Sequence, residues 1–435
     1  MRPASLVNRL LVILAVELLS SGFAGEFIGG VDASHLKFFE DRGVVYRDAG
    51  RVGDALEIFR KRGITCVRLR LFTSSATQAQ ADPYNRTNNL DYTIPLAKRV
   101  KQAGLQFLLD FHYSDSWADP GKQSKPSAWT NLDFNGLEAR MREYNSNCIC
   151  TFKAAGAMPD YVQLGNEITS GLLWPDGRVG GTYETPTQWS QLGRLLKAAA
   201  RGVLDASGSQ APKLMVHIDR GGDWPTTQWF FDNLQVQQVP FDLIGETYYP
   251  FWHGDLNGLR DCLGRAVASY DKPVVVAETA FPWTNSTEVI GIPATPAGQS
   301  AFVVELAKAV KSLPRGKGLG IFWWGTEYQH VDGVGTAGFE YRSFFGFGGD
   351  ALPATETYGQ LTAPLLLKAG VTRTNLTLSW PISGAGLSLT SATSLAPPFV
   401  WSLSTNTVQF SGLGFETTWP ADNDPSRFFR LGPSN

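Results

Sequence analysis

Cysteine and histidine are scarce in this chain, with four Cys and five His among 435 residues. Cys66, Cys148, Cys150 and Cys262 have no zinc-like spacing, and Cys148 and Cys150, two apart on a helical segment, point in different directions, so no disulfide is expected. A buried free thiol is the expectation for Cys66. The histidines are too scattered for metal ligation, and no metal or other cofactor is expected. No Gly-x-Ser-x-Gly elbow occurs, which removes one common hydrolase nucleophile. No glycine fingerprint follows the first strand, which weighs against an open doubly wound sheet. The formal net charge of -2 supplies no basic footprint, so nucleic acid is excluded as an expected partner. No segment reaches the ~18 to 20 apolar residues that span a bilayer.

Apolar and aromatic residues are plentiful instead. Hydrophobic residues make up 43% of the chain and there are 13 Trp. That surplus suits grooves for flat ligands such as sugars, with packing in a large core as the alternative. Residues 1–24 read as an export signal: Arg2 and Arg9, then "LLVILAVELL" interrupted only by Glu17, then "SSGFAG" with cleavage after Ala24. The expected location is therefore secreted, extracellular or periplasmic.

From residue 27 the chain alternates strand-like and helix-like segments. The strand candidates are "FIGGVDAS", "CVRLRLF", "FLLDFHY", "YVQLGNE", "KLMVHID", "LIGETYY", "VVVAETA" and "GIFWWG". Amphipathic segments such as 48–62, 91–103, 134–155, 187–205 and 296–313 separate them. Eight such units predict an α/β domain over residues 25–366, a (β/α)8 TIM barrel, with the open doubly wound sheet as the structural alternative. The tail, 367–435, is rich in Ser, Thr, Gly and Pro, and predicts a small all-β, sandwich-like module of five to seven strands. Trp380 and Trp401 are its candidates for sugar contact, against a packing or anchoring role.

Reacting groups in such a barrel lie at the C-terminal ends of the strands. Those positions hold Asp32 and His35, Arg68 and Arg70, Asp110, His112, Tyr113 and Asp115, Asn166 and Glu167, His217 and Asp219, Tyr248 and Tyr249, Glu278, and Trp323 with Trp324. Glu167 and Glu278 end the fourth and seventh strands, nearly opposite across an eight-stranded ring. Two facing carboxyls are what glycosidic hydrolysis requires, although buried glutamates also form structural ion pairs. Arg68 and Arg70 alternate along the second strand, so both point inward and need carboxylate partners. One of the two is expected to hold Glu278 ionised, Arg70 at the outer end in preference to Arg68, with a purely structural pair as the alternative. Asn166 can donate to a sugar hydroxyl. Asp110, His112 and Asp115 could suggest a metal, but no further ligand converges on them in sequence.

"GGVDASHL", "VRLRLF", "DFHYSDSWADPGKQSKPSAW", "VQLGNEITSGLLWPDG", "TYYPFWHG" and "VVVAETAFPW" together resemble glycoside hydrolase family 53, the endo-β-1,4-galactanases, collinearly over residues 27–363. The resemblance implies a (β/α)8 barrel in which Glu167 is the acid/base and Glu278 the nucleophile, with retention of configuration. It implies a polysaccharide substrate, β-1,4-galactan, cut internally. It further implies sugar contacts among His112, Asp115, Trp117, Trp174, Trp252, His253 and Trp324, and a hydrogen bond to the nucleophile from Tyr248 or Tyr249. The chain departs from the family at "GIFWWGTEY", where an acidic-proline pair is more usual after the tryptophan. The loop "PWTNSTEVIGIPATPAGQ" lacks the Asp-rich run that binds calcium in bacterial members, so no calcium is expected there. The tail resembles small β modules of exported bacterial hydrolases, and a monomer is expected.

Overall fold

A computed structural model of the chain describes residues 11–16, 26–372, 374–398, 400–420 and 426–433. The apolar, β-branched segments form β1 (Ile28–Asp32), β2 (Cys66–Leu71), β3 (Gln106–Phe111), β4 (Tyr161–Gln163), β5 (Lys213–Ile218), β6 (Leu243–Thr247), β7 (Val274–Thr279) and β8 (Gly318–Trp323). All eight run parallel and close into a barrel in sequence order, β8 pairing with β1. The open-sheet alternative is thereby removed.

Eight helices follow the strands in turn: α1 (Ala55–Lys61), α2 (Leu90–Gln102), α3 (Phe134–Ala154), α4 (Pro186–Ser207), α5 (Trp224–Val236), α6 (Leu256–Tyr270), α7 (Pro296–Lys311) and α8 (Pro353–Gly359). Side chains of Asp54, Asn89, Asp133, Thr185, Asp223, Asp255 and Thr295 accept first-turn N–H groups at the first seven, each cap worth roughly 1 kcal/mol. The helix expected from residue 48 starts only at Ala55. Asp48 lies instead in a hairpin, Arg47–Asp48 against Arg51–Val52, and Asp54 is the cap that decides where the helix begins.

Two apolar layers hold the barrel. Inside it, Ile28, Cys66, Leu108, Met215, Leu243, Val275, Ala277 and Phe322 fill the centre. Gly30 is required there, because a Cβ at that position would lie 2.3 Å from the Phe322 ring. The second layer, between strands and helices, is the main core and includes Val31, Val67, Leu109, Val216, Val274 and Val276. One irregularity matters for the site. Glu246 pairs with Val276 but Thr247 pairs with Glu278, so Ala277 is an extra residue in β7. Strict alternation from the inward Val275 and Ala277 would turn Glu278 outward toward the helices; the bulge turns it into the barrel mouth.

The C-terminal strands form two sheets. β9 (Lys368–Val371), β10 (Asn375–Pro381), β13 (Gln409–Ser411) and β14 (Gly414–Pro420) make one; β11 (Leu387–Ala392), β12 (Ser402–Leu403) and β15 (Ser426–Pro433) belong to the other. Leu11–Val16 joins the second sheet parallel to β15; the rest of the expected leader lies outside the described residues. The main core runs on into this module through Leu376, Leu378, Trp380 and Phe415. Trp380 is only 4% exposed and packs against Phe415. Trp401 is half-buried under the guanidinium of Arg430, 4.4 Å from its ring centroid. Cys66, Cys148, Cys150 and Cys262 are all free thiols.

Candidate active site

The C-terminal ends of the strands open on a cleft of about 480 Å³. Asn166, Glu167, Thr247 and Glu278 occupy its base, and Trp117, Trp252 and Trp324 are among the aromatics along its walls. Glu278 is 7% exposed and held on both oxygens: Oε1 lies 2.8 Å from Nη1 of Arg68, and Oε2 accepts from the Tyr249 hydroxyl at 3.2 Å. Arg68 is fully engaged. It also pairs with Asp32 at 3.0 Å and Asp110 at 2.8 Å, and donates to Gln163 Oε1 and Asn166 Oδ1.

Of the two arginines expected to hold Glu278, Arg68 does so and Arg70, the preferred one, does not. Arg70 sits one pleat nearer the mouth, where Asn88 Oδ1 and His35 Nδ1 take its N–H groups and its guanidinium lies 4.1 Å from the Trp117 ring centroid. Its carboxylate contact is Asp32, at 3.8 Å. Arg68, one pleat deeper, points among the inward carboxylates and reaches the one that the bulge turns in.

Glu167 lies just beyond β4, in the left-handed backbone region at φ 49°, ψ 51°, after the turn at Gly165. That conformation is unusual for a residue with a side chain. It keeps part of the side chain open to the cleft while Oε1 accepts from the Thr247 hydroxyl at 2.7 Å. Burial raises the Glu167 carboxyl well above the usual range, and the charges of Glu278 and Asp219 add to the effect. Burial raises Glu278 too, to about 7, but there the Arg68 guanidinium pulls down strongly. Of the two, Glu167 holds its proton more firmly.

The other expected site residues divide. His112, Trp117, Trp252, His253 and Trp324 line the same cleft. His112 accepts from Ala118 N on Nδ1 and hydrogen-bonds Asp110 through Nε2 at 3.0 Å, so it presents a ring edge rather than a polar atom. His253 Nδ1 accepts from Tyr249 N, which leaves Nε2 carrying the proton. Burial and Arg220 hold this imidazole down, at about 4, so it is neutral.

Asp115, Trp174 and Tyr248 fall outside the cleft lining. Asp115 accepts from Thr73, Gln78 and both N and Oγ of Ser127, which ties its loop together and separates it from the Asp110–His112 pair. Trp174 donates to Ser170 O and stacks under Arg178. The hydroxyl of Tyr248 donates to Gly254 O, so of the two tyrosines only Tyr249 reaches Glu278. Sequence reasoning missed Tyr84, Thr247 and Phe339 in the lining. Thr247 was detectable as the last inward residue of β6; Tyr84 and Phe339 lie on single helical turns, Pro83–Arg86 and Phe339–Tyr341, too short for a periodic signal. The loop after β7 carries a short hairpin, Glu288–Val289 with Ile292–Pro293.

Comparison with known proteins bears on this site. The family model described as Glycosyl hydrolase family 53 matches residues 28–358, and so leaves the C-terminal sheets outside it. An arabinogalactan endo-beta-1,4-galactanase of Thermothelomyces thermophilus is 34% identical over 346 residues, 76% of this chain and 98% of that one. An uncharacterized protein of Niallia circulans is 40% identical over 313 residues, covering 68% and 83%. Among solved structures, the GH53 catalytic domain of Ignisphaera aggregans superposes with a TM-score of 0.70 at 34% identity, covering 81% of this chain and all of that domain.

Proposed function

The chain belongs to glycosyl hydrolase family 53, and from that premise we propose that it is an exported endo-β-1,4-galactanase that cleaves pectic galactan and type I arabinogalactan with retention of configuration. The observation that carries the reading is the unequal pair of carboxyls in one cleft: Glu278 ion-paired to Arg68 at 2.8 Å, and Glu167 hydrogen-bonded to Thr247 with no cation in contact among the described residues, its carboxyl raised by burial.

In the first step the Glu278 carboxylate attacks the anomeric carbon while Glu167 protonates the departing glycosidic oxygen, giving a glycosyl-enzyme and a shortened chain. The nucleophile's charge is then gone, the carboxyl of Glu167 is free to ionise, and it takes a proton from water as that water opens the ester. Tyr249 steadies Glu278 throughout. Asn166, whose Oδ1 is taken by Arg68 and whose Nδ2 donates to Ala118 O at 2.9 Å, keeps one N–H for a sugar hydroxyl. His253 offers its Nε2–H to the same cleft. Tyr84, Trp117, Trp324 and Phe339 supply flat apolar surface for the faces of sugar rings. The leader-like residues 1–24 support export, and among the described residues no helix is long and apolar enough to cross a membrane.

Glu278→Ala is expected to abolish release of reducing ends from linear galactan while leaving binding of the polymer largely intact. Wild-type-like turnover would sink the assignment of the nucleophile. Initial rates on galactan, mannan and carboxymethyl cellulose test the substrate, and NMR of the first-formed anomer tests retention.

A further inference from the structure

We infer that Thr247 and His217 are positioning residues that fix which oxygen of Glu167 carries the catalytic proton, through a chain of hydrogen bonds whose direction is set by Arg68. The inference rests on the reading of Glu167 as the general acid. The direction can be followed atom by atom. Arg68 has only donors, so the Gln163 oxygen that meets its Nε at 3.1 Å must be the carbonyl oxygen. The amide nitrogen of Gln163 then donates one hydrogen to Asp110 Oδ1 at 2.6 Å and has His217 Nδ1 at 3.0 Å as its next nearest acceptor, ahead of Gly165 O and Asn166 Oδ1 at 3.2 Å. The backbone N–H of Glu167 also points at Nδ1, at 3.4 Å. Asn166 Oδ1, 3.2 Å from the same nitrogen, brings no hydrogen to it, whereas the Glu167 N–H can only donate. Nδ1 is therefore the acceptor, and the proton of this neutral, buried imidazole sits on Nε2.

His217 Nε2 lies 2.8 Å from the Thr247 hydroxyl oxygen and donates to it. The single hydroxyl hydrogen of Thr247 is then left to point at Glu167 Oε1, 2.7 Å away. An oxygen that is permanently accepting a hydrogen bond is a poor place for a proton. The acidic hydrogen of Glu167 is confined to Oε2, the oxygen not held by Thr247, from which it passes to the leaving oxygen. The same arginine that pairs with the nucleophile thus also orients the acid, through Gln163, His217 and Thr247. The charged and titratable groups facing Glu167 are Glu278 on β7, Asp219 beyond β5, Arg68 on β2, Tyr249 beyond β6 and His217 on β5. None of them donates to Oε1.

The test is Thr247→Val, which keeps the shape and removes the hydroxyl, with Thr247→Ser as the rescue. Two substrates are compared, both galacto-oligosaccharide aryl glycosides: one with a dinitrophenyl leaving group that departs without a proton, one with a phenyl group that needs it. Thr247→Val is expected to lose roughly tenfold on the phenyl glycoside and on galactan, within the range general-acid catalysis spans, and little on the dinitrophenyl glycoside. The alkaline limb of its kcat/KM profile is expected to rise by about one pH unit, because the hydroxyl that stabilised the ionised carboxyl is gone. Thr247→Ser should restore both. His217→Phe, which cuts the chain one residue earlier, should move both readouts in the same direction by less. Equal losses on the two aryl glycosides, or an unmoved alkaline limb, overturn the relay. Glu167→Ala separates this from failure of the underlying reading: retained dinitrophenyl activity with lost phenyl activity upholds Glu167 as the acid, and equal loss on both removes that reading and the relay together.

Discussion

Replacing Arg68 with lysine keeps one positive charge in the barrel mouth and removes the planar fork that distributes it. Arg68 is 1% exposed and its three nitrogens reach Asp32, Asp110, Glu278, Gln163 and Asn166. A lysine ammonium offers three donors from one point and cannot span that set. Removing one partner of a buried ion pair outright costs roughly 3 to 5 kcal/mol. With the charge retained and the geometry lost, about half of that, ~2 kcal/mol, is expected for Arg68→Lys, a large share of a typical net stability of about 5 to 15 kcal/mol. A second effect is on catalysis. Burial already lifts Glu278 to about 7 against the pull of Arg68. Weakening that pull raises the carboxyl further, so a higher pH is needed to ionise the nucleophile and the acidic limb of kcat/KM moves up. A charge-assisted hydrogen bond is worth ~1.5 to 3 kcal/mol and one pH unit is about 1.4 kcal/mol, so the shift is expected to be about one unit or somewhat more. Urea titration gives the first quantity and a kcat/KM profile on linear galactan the second. A variant with the wild-type midpoint and the wild-type acidic limb would refute the account of Arg68.

Arg70→Met should leave the acidic limb where it is and raise KM, because Arg70 supports Trp117 at 4.1 Å and does not touch Glu278; a shifted limb would restore the original assignment. Asp115→Ala should lower stability by about 1 to 3 kcal/mol through loss of its acceptor role toward Thr73, Gln78 and Ser127, with KM on galactan unchanged; a raised KM in a stable variant would make it a sugar contact after all. Glu327, fully buried with Oε1 accepting from His35 N and Oε2 without a hydrogen-bond partner among the described residues, has its carboxyl lifted from 4.5 to about 8 by burial and the nearby Asp32 charge. The folded state therefore holds that proton more tightly than the unfolded chain, and its contribution to stability is present below about pH 4.5 and lost as pH rises through about 8. Glu327→Gln should flatten the decline in denaturation midpoint across that window; an unchanged slope would assign the decline to other groups.

The strands, their number and their parallel order were legible in local pattern, because short apolar β-branched runs between capped helices leave few other arrangements. Glu167 and Glu278 stood out for the same reason, as acids at the ends of strands whose other residues are apolar. Only the tertiary structure could decide how the acids are used. The extra residue at Ala277 breaks the period of two on which any sequence reading of side-chain direction depends, and it brings Glu278 to Arg68 rather than Arg70. Asp115, Tyr248 and Trp174 match the motif but lie outside the cleft lining, since hydrogen bonds to residues of their own or the neighbouring loop claim their polar atoms first. Neither Thr247, the first residue of "TYYPFWHG", nor His217 has a role that a motif assigns, and their part depends on a hydrogen-bond direction that begins at an arginine three strands away from β5. Local sequence determined which elements form and where charge is placed along them. The closure of the ring determined which charges meet, because contacts across a barrel join residues that no local pattern relates.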